Sequence, residues 1–220
     1  MFTRLKICGI TNLEDALMCT SFGVDLLGFN FYPFSPRYIE PEKAKKIISQ
    51  LPIGIKSIGI LVQPDKAQIE KIITLTRIDG IQLYQPSGIT DFSQMKVTVI
   101  LAYQLKSDKL TKKVFKPGVD MVLLDSYSKK EFGGTGKSFE WKLIPEWFPN
   151  HKLILAGGIT PINIKQALTA VNPAIIDVAS GAENSPGKKD PIKVNALVMA
   201  VMEYNKKQLN KDGIKFEKNK

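Results

Sequence analysis

The chain has 220 residues, a usual length for an α/β barrel and enough to bury the core of a single domain. Apolar residues make up 44% and charged residues 24%, which excludes a disordered chain, and no segment approaches a transmembrane span. Of the net charge of +10, residues 206–220 carry +4 and the rest is spread without a basic stripe, so we expect an anionic substrate rather than a nucleic-acid partner.

Short runs rich in Val, Ile and Leu recur along the chain, and each predicts a buried parallel strand. The runs are too short for helices and too uniformly apolar to have one wet face. Their starts lie mostly 20 to 32 residues apart, which suits a repeated unit of strand, loop and crossover helix. The eight predicted strands are Arg4 to Gly9, Val24 to Asn30, Lys56 to Val62, Asp79 to Leu83, Val97 to Ala102, Val119 to Asp125, Lys152 to Ala156 and Ala174 to Ser180.

Capping residues and early prolines predict the helices between these strands. The fourth unit has the weakest helix pattern. The predicted helices are Leu13 to Phe22, capped by Thr11 or Asn12; Pro41 to Ser49; Asp65 to Leu75; Asp108 to Phe115; Pro161 to Ala170; and a long last helix from Asp190 or Pro191.

Eight similar units favour a closed (β/α)₈ TIM barrel over an open, doubly wound sheet. A dinucleotide-binding sheet would place GxGxxG after an early strand, whereas this chain has Cys8-Gly9-Ile10-Thr11 there. We therefore predict the α/β class, with a single barrel domain over residues 1–205 and a lysine-rich, frayed tail over 206–220.

The few cysteine and histidine residues bear on compartment and metal binding. Cys8 and Cys19 offer no disulfide scaffold and no CxxC spacing, so with no signal-peptide pattern at the N-terminus we expect a cytoplasmic protein. Cys19 is assigned to the packed side of the first helix. The single histidine, His151, precedes strand 7 at the end opposite the expected site, so we expect neither histidine catalysis nor a metal site.

Polar or glycine residues at four strand ends are the candidates for function, because the active site of a TIM barrel lies where its strands end. Gly157-Gly158 follows strand 7 and Ser180-Gly181 follows strand 8. Either pair alone is a tight turn, but together they can present backbone N–H groups to a phosphate. We therefore predict a phosphorylated small-molecule substrate.

Cys8, at the end of strand 1, and Asp125, at the end of strand 6, are the candidate acid/base groups. Cys8 is either a small buried core residue or a thiolate base. Asp125 follows four apolar residues, where a carboxylate needs solvent or a ligand, although it can also cap a turn or helix.

Several short motifs follow one another in an order that resembles the phosphoribosylanthranilate isomerase family over roughly residues 4 to 200. The resemblance implies a TIM barrel that requires no metal or cofactor. The motifs are Lys6-Ile7-Cys8-Gly9-Ile10-Thr11, Ser35-Pro36-Arg37-Tyr38, Leu124-Asp125-Ser126, Gly133-Gly134-Thr135-Gly136, Leu155-Ala156-Gly157-Gly158-Ile159, Ser180-Gly181-Ala182-Glu183 and Pro186-Gly187-Lys188-Lys189-Asp190.

The resemblance also implies a reaction, the third step from chorismate to tryptophan. It is the Amadori rearrangement of N-(5-phosphoribosyl)anthranilate to 1-(o-carboxyphenylamino)-1-deoxyribulose 5-phosphate. In this family's scheme Asp125 protonates the ring oxygen, and Cys8 as thiolate removes the C2 proton of the resulting Schiff base. Asp125 must then stay protonated while Cys8 ionises, which requires pKa shifts in opposite directions.

The remaining site residues follow from the same resemblance. Arg37 matches the residue that pairs with the anthranilate carboxylate, and its alternative role is that of a surface arginine. The oligomeric state, monomer or homodimer, stays open. The predicted phosphate-binding residues are Gly157, Gly158, Ser180 and Gly181, and the other substrate-lining residues are Lys6, Gln82, Tyr84 and Gly134.

The chain departs from the family pattern in two places. Gln82-Leu83-Tyr84-Gln85 stands where the family usually has Gln-Leu-His-Gly, so the histidine's role is lost or passes to Tyr84. After strand 8 the usual Ser-Ser-Gly-Val-Glu is Ala179-Ser180-Gly181-Ala182-Glu183, which keeps the serine and glycine expected to bind phosphate.

Two other functions compete with this one. The isomerase of histidine biosynthesis performs the same rearrangement, but it uses paired aspartates, whereas strand 1 here ends in Cys8. The alternative that the chain is a nucleic-acid-binding protein is supported by the net charge alone.

Overall fold

The computed structural model describes residues 2–104, 112–125, 141 and 144–211. Gly134, one of the predicted substrate-lining residues, lies outside the described residues.

Eight parallel strands pair in sequence order, and β1 pairs with both β2 and β8, which closes the barrel. The predicted α/β class and single-domain (β/α)₈ barrel are therefore confirmed. All eight predicted strands are present, with ends shifted by one to two residues in most cases. They are β1 (Arg4–Cys8), β2 (Leu26–Asn30), β3 (Lys56–Val62), β4 (Gly80–Tyr84), β5 (Thr98–Gln104), β6 (Met121–Asp125), β7 (Leu153–Ala156) and β8 (Ile175–Val178).

Alternate residues of each strand point to opposite faces and build two apolar cores. The smaller core, which includes Leu26, Ile58 and Leu123, fills the barrel interior. The larger core lies between the strands and the helices and includes Leu27 and Leu124, the neighbours of those interior residues in sequence. Because both faces of each strand are buried, the strands are continuously apolar in sequence.

The described helices cover the outside of the barrel. The Asn12 side chain caps the first by accepting a hydrogen bond from the Asp15 N–H at 2.8 Å, and Asp65 caps the third as part of a capping box. A hairpin of β9 (Glu183–Ser185) and β10 (Lys188–Lys189) follows β8. The helices are α1 (Leu13–Phe22), α2 (Pro41–Ile48), α3 (Lys66–Thr76), α4 (Ile164–Val171) and α5 (Pro191–Lys211).

Two predicted helices differ from the structure. The helix expected from Pro161 begins at Ile164, because the Asn163 side chain accepts from the Thr160 N–H at 2.8 Å and donates to the Gly158 carbonyl at 2.9 Å, which holds residues 160–163 in a turn. Of the helix predicted over 108–115, residues 112–114 form a 3₁₀ turn, and 108–111 lie outside the described residues.

Residues 85–97, in the weak fourth unit, connect β4 to β5 without a helix. The last helix continues to Lys211, so the predicted boundary at residue 205 falls inside α5. No helix in the described part of the chain is long and apolar enough to span a membrane.

The Asn205 side chain ties α5 to the start of the barrel. Its Oδ1 accepts from the Thr3 N–H at 2.9 Å, and its Nδ2 donates to the Thr3 carbonyl at 2.8 Å. Both backbone groups precede β1, so this amide joins the two ends of the described chain.

We expect Asn205→Ala to lower the free energy of unfolding by about 1–3 kcal/mol, because it leaves two partly buried backbone groups without partners. Urea denaturation measures the change. Asn210→Ala, an exposed asparagine of the same helix, is the matched control for helix propensity. Equal effects of the two substitutions would contradict a specific role for Asn205.

Candidate active site

The carboxyl ends of the barrel strands surround a cavity of about 780 Å³. This is the end at which TIM-barrel active sites lie. The cavity brings together most of the predicted site residues, although they come from distant parts of the sequence. Those that line it are Cys8, Arg37, Gln82, Tyr84, Asp125, Gly157, Gly158 and Ser180.

The loops after β7 and β8 meet at one side of this cavity. Gly157 and Gly158 have φ of +91° and +63°, a region that disfavours residues with a Cβ. Ser180 begins a short 3₁₀ turn with Gly181, where a Cβ would overlap the carbonyl oxygen of Ile159. The two loops can pack in direct contact because Gly181 has no side chain. Gly181 itself supports the cavity wall.

A buried polar network lies beneath the cavity. Lys6 has no exposed surface, and its Nζ donates to Asp177 Oδ2 at 2.9 Å and to Gln82 Oε1 at 3.0 Å. Gln82 Nε2 in turn donates to the Tyr84 hydroxyl at 3.3 Å. Lys6 was predicted to line the substrate site, but the structure places it under the cavity floor, because its ammonium binds Asp177 of the neighbouring strand and Gln82 across the barrel interior.

The charges of this network determine the protonation state of Lys6. Burial by itself lowers the pKa of Lys6, but the negative charge of Asp177, with a smaller effect of Cys8, raises it above its ordinary value. Lys6 is therefore an ammonium. The second carboxylate oxygen of Asp177, Oδ1, is buried and has no hydrogen-bond partner among the described residues.

Cys8 lies at the cavity floor next to Gly28 of the neighbouring strand. A Cβ on Gly28 would lie 3.1 Å from the Cys8 Sγ, so the glycine makes room for the thiol. Burial raises the pKa of Cys8 above its ordinary value, and the positive charges of Lys6, Lys189 and Arg37 offset only part of that rise. In the free protein Cys8 is a neutral thiol, opposite to the direction that the family's reaction implies.

Tyr84, at the end of β4, lines the same cavity as the two candidate acid/base residues. Burial raises the pKa of its hydroxyl, and the negative charges of Asp125 and Asp177 raise it further. Tyr84 is therefore a neutral phenol.

Arg37 belongs to a second buried network at the cavity rim. Its Nε and Nη2 bind the Glu183 carboxylate at 2.6 to 3.0 Å, and Lys189 Nζ binds the same carboxylate at 2.7 Å. Lys189 also donates to the Cys8 carbonyl at 2.6 Å. Burial alone would raise the pKa of Glu183, but Arg37 and Lys189 together lower it, so it is ionised. The network fixes the Arg37 loop and the β9–β10 hairpin against β1.

Sequence reasoning assigned no role to Asp177, Glu183 or Lys189. Glu183 and Lys189 stand inside two of the family motifs, which is the signal that could have singled them out. Their role depends on contacts with residues far away in sequence, such as Arg37 and Cys8. Asp177 follows two isoleucines in β8, and its alternation toward the barrel interior beside Lys6 was the signal available.

The remaining titratable candidates lie elsewhere. His151 is exposed in the 3₁₀ turn before β7, at the opposite end of the barrel, as predicted. Cys19 is buried on the packed side of α1, also as predicted. Within the described ranges, no group of three or more His, Cys, Asp or Glu residues is arranged to hold a metal ion.

The model of one protein family, N-(5'-phosphoribosyl)anthranilate (PRA) isomerase, matches residues 5–200. The chain belongs to this family. The N-(5'-phosphoribosyl)anthranilate isomerase of Geobacter metallireducens is 40% identical over 195 residues, covering 89% of this chain and 96% of the relative. That of Trichodesmium erythraeum is 37% identical, covering 88% and 95%. The predicted family is therefore confirmed.

Solved structures of the isomerase family have the same fold. The phosphoribosyl anthranilate isomerase of Thermotoga maritima superimposes with a TM-score of 0.78 at 32% identity, covering 92% of this chain and 100% of that one. A structure of the isomerase in complex with reduced 1-(o-carboxyphenylamino)-1-deoxyribulose 5-phosphate gives a TM-score of 0.76 at 30% identity, covering 92% and 100%.

The raised pKa of Cys8 predicts a pH dependence of its alkylation. Because the thiolate is the nucleophile, we expect iodoacetamide to label Cys8 slowly at neutral pH and faster only as the pH rises above about 9, the usual range of a cysteine. Peptide mass spectrometry separates Cys8 from Cys19, whose pKa burial raises to about 12. Rapid labelling of Cys8 at pH 7 would contradict a neutral thiol in the free protein.

Proposed function

We propose that this chain catalyses the Amadori rearrangement of N-(5-phosphoribosyl)anthranilate to 1-(o-carboxyphenylamino)-1-deoxyribulose 5-phosphate, the third step from chorismate to tryptophan. The observation that carries the proposal is the placement of Cys8 and Asp125 on one cavity with the glycine loops after β7 and β8. Membership of the isomerase family supports it. The chain is thus an aldose–ketose isomerase, an intramolecular oxidoreductase.

In this proposal the substrate phosphate binds at the loops after β7 and β8. The backbone N–H groups near Gly157, Gly158, Ser180 and Gly181 are suited to an anion, because glycine allows close approach of the backbone. Phosphate bound on this side of the cavity leaves the sugar over Cys8 and Asp125. These four residues are the proposed phosphate site.

Arg37 is the proposed partner of the anthranilate carboxylate. Glu183 binds its Nε and Nη2, and Arg37 lines the cavity, so Nη1 is the group proposed to bind a second carboxylate there. The Glu183 pairing also holds the guanidinium plane in one orientation. Arg37 would thus place the aromatic ring at the end of the cavity away from the phosphate.

The proposed reaction moves protons between the substrate, Asp125 and Cys8. Asp125 protonates the ring oxygen, the C1–O bond breaks, and the amine nitrogen becomes a cationic Schiff base. Cys8 removes the C2 proton and gives an enolamine. Return of a proton to C1 and loss of the C2 hydroxyl proton give the ketone and restore both groups. All of these steps are proton transfers or cleavage of one C–O bond, so the proposal includes no metal or cofactor.

The neutral thiol of the free protein is compatible with this cycle. A cation within about 4–6 Å lowers the pKa of an acidic group by about 1–3 units. The Schiff base is cationic and adjoins the C2 carbon whose proton Cys8 removes, so it favours loss of the Cys8 proton to water and formation of the thiolate when the base is needed. Lys6, Lys189 and Arg37 act in the same direction.

Lys6, Gln82, Tyr84 and Gly134 complete the proposed site. Lys6 acts from below the cavity through Gln82, whereas Gln82 and Tyr84 line it. A cytoplasmic location suits two free cysteines, one of them catalytic. The chain acts as a monomer or homodimer; one isomerase of Thermotoga maritima is described as dimeric.

The test of the proposal is turnover of N-(5-phosphoribosyl)anthranilate, followed by loss of its fluorescence. We expect the wild type to turn over without added metal, and Cys8→Ala and Asp125→Ala each to lower kcat by at least about 10²–10⁴, the usual contribution of a general acid or base. Cys19→Ala is the matched cysteine control, corrected for its stability loss. Activity of Cys8→Ala near the wild-type level would reject the proposed base.

We further propose that residues 1–205 hold the whole catalytic domain and that 206–220 form a dispensable basic tail. Truncation after Asn205 keeps the Thr3 contact and removes only the last residues of α5 and those beyond. We expect unchanged kcat and KM at low salt. A large loss of activity in the folded, truncated chain would assign the tail a role in the reaction.

A further inference from the structure

The Tyr84 hydroxyl accepts the hydrogen bond that joins it to Gln82, and the contacts of Lys6 fix this direction. Lys6 Nζ can only donate, so the Gln82 atom 3.0 Å from it must be the carbonyl oxygen Oε1. The amide nitrogen Nε2 is therefore on the opposite side of the Gln82 amide, where it lies 3.3 Å from the Tyr84 oxygen. An amide nitrogen can only donate, so Tyr84 is the acceptor in this contact.

The hydroxyl proton of Tyr84 must therefore point elsewhere. Gln82 lies below Tyr84 on the same face of β4, and the other side of the Tyr84 hydroxyl borders the cavity. Cys8, Asp125 and Asp177 line the same cavity, and burial, together with the negative charges of Asp125 and Asp177, keeps the phenol protonated. Lys6 and Gln82 thus leave one neutral donor for the cavity that the proposed base and acid also line.

We propose that Tyr84 is a substrate-positioning residue, which donates a hydrogen bond to a sugar oxygen of the substrate held between Cys8 and Asp125, in a direction set by Lys6 and Gln82. This inference rests on the proposed function, since it concerns the same substrate. A hydroxyl with one proton already directed loses little orientational freedom on binding.

Two substitutions separate the contact that Tyr84 makes from the orientation that Gln82 gives it. Tyr84→Phe removes the donor and keeps the ring. Gln82→Met removes the amide that orients the donor and keeps a similar volume. If Gln82 acts through Tyr84, its loss matters only when the hydroxyl is present, so the two substitutions must be non-additive.

The experiment measures kcat/KM and the binding of reduced 1-(o-carboxyphenylamino)-1-deoxyribulose 5-phosphate for the wild type, Tyr84→Phe, Gln82→Met and the double variant. We expect Tyr84→Phe to lose about tenfold in both quantities, the effect of one hydrogen bond. The double variant should lose little more than Tyr84→Phe. Urea denaturation of each protein corrects for the lost partner of Lys6.

Tyr204→Phe is the matched control, because it removes a tyrosine hydroxyl that bonds Asn172 at 2.9 Å on the outside of the barrel. We expect its kinetics to equal those of the wild type. Tyr84→Phe within twofold of the wild type, or losses that multiply in the double variant, would overturn the proposal.

Failure of the proposed function gives a different result. A wild type that binds the reduced product analogue without turnover, with tenfold weaker binding by Tyr84→Phe, would support the positioning role and reject the isomerase activity. A wild type that neither binds nor turns over would reject both.

Discussion

The structure depends on the burial of one ammonium group inside the barrel. Removing a lysine from water costs several kcal/mol unless partners replace its hydration. Lys6 finds them in Asp177 of β8, its neighbour in the sheet, and in Gln82 of β4 on the other side of the barrel. The layer below the cavity is therefore polar and has one hydrogen-bonding arrangement. Through Gln82 this arrangement also sets the hydrogen bonding of Tyr84, which lines the cavity above it.

Buried charges at the cavity rim also need partners that replace their hydration. Glu183 receives Arg37 and Lys189 together, and Lys189 is as inaccessible to solvent as Lys6. This network joins elements from both ends of the sequence, so the loop that carries Arg37 is held by the β9–β10 hairpin. Breaking a buried pair of this kind costs more than the pair contributes, since the remaining charge is left without a partner. These charges therefore fix geometry more than they add stability.

The thiol of Cys8 lies between opposing effects. Burial and Asp177 favour the neutral form, and three cationic side chains favour the thiolate. A charge of the size of a Schiff-base cation can shift this balance, so the thiolate forms after the ring opens. A neutral resting thiol is also less open to oxidation and alkylation, because both proceed through the thiolate.

The sequence alone determined the barrel and most of the strand positions, because burial on both faces leaves a continuous apolar pattern at regular spacing. It also determined that Cys8, Asp125 and the two glycine pairs meet, since parallel strands of a barrel end on the same side. It misplaced the start of α4, where the Asn163 side chain bonds backbone groups of the preceding residues and delays the helix.

Only the tertiary structure decided what the charged residues do. The partners of Lys6 lie 76 and 171 residues away, and Arg37 and Glu183 are 146 residues apart, so no local pattern could pair them. The direction of the Cys8 pKa shift likewise depends on the sum of burial and several distant charges. Patterns along a chain report which face a residue occupies, whereas hydrogen-bond direction and protonation depend on the groups that folding places around it.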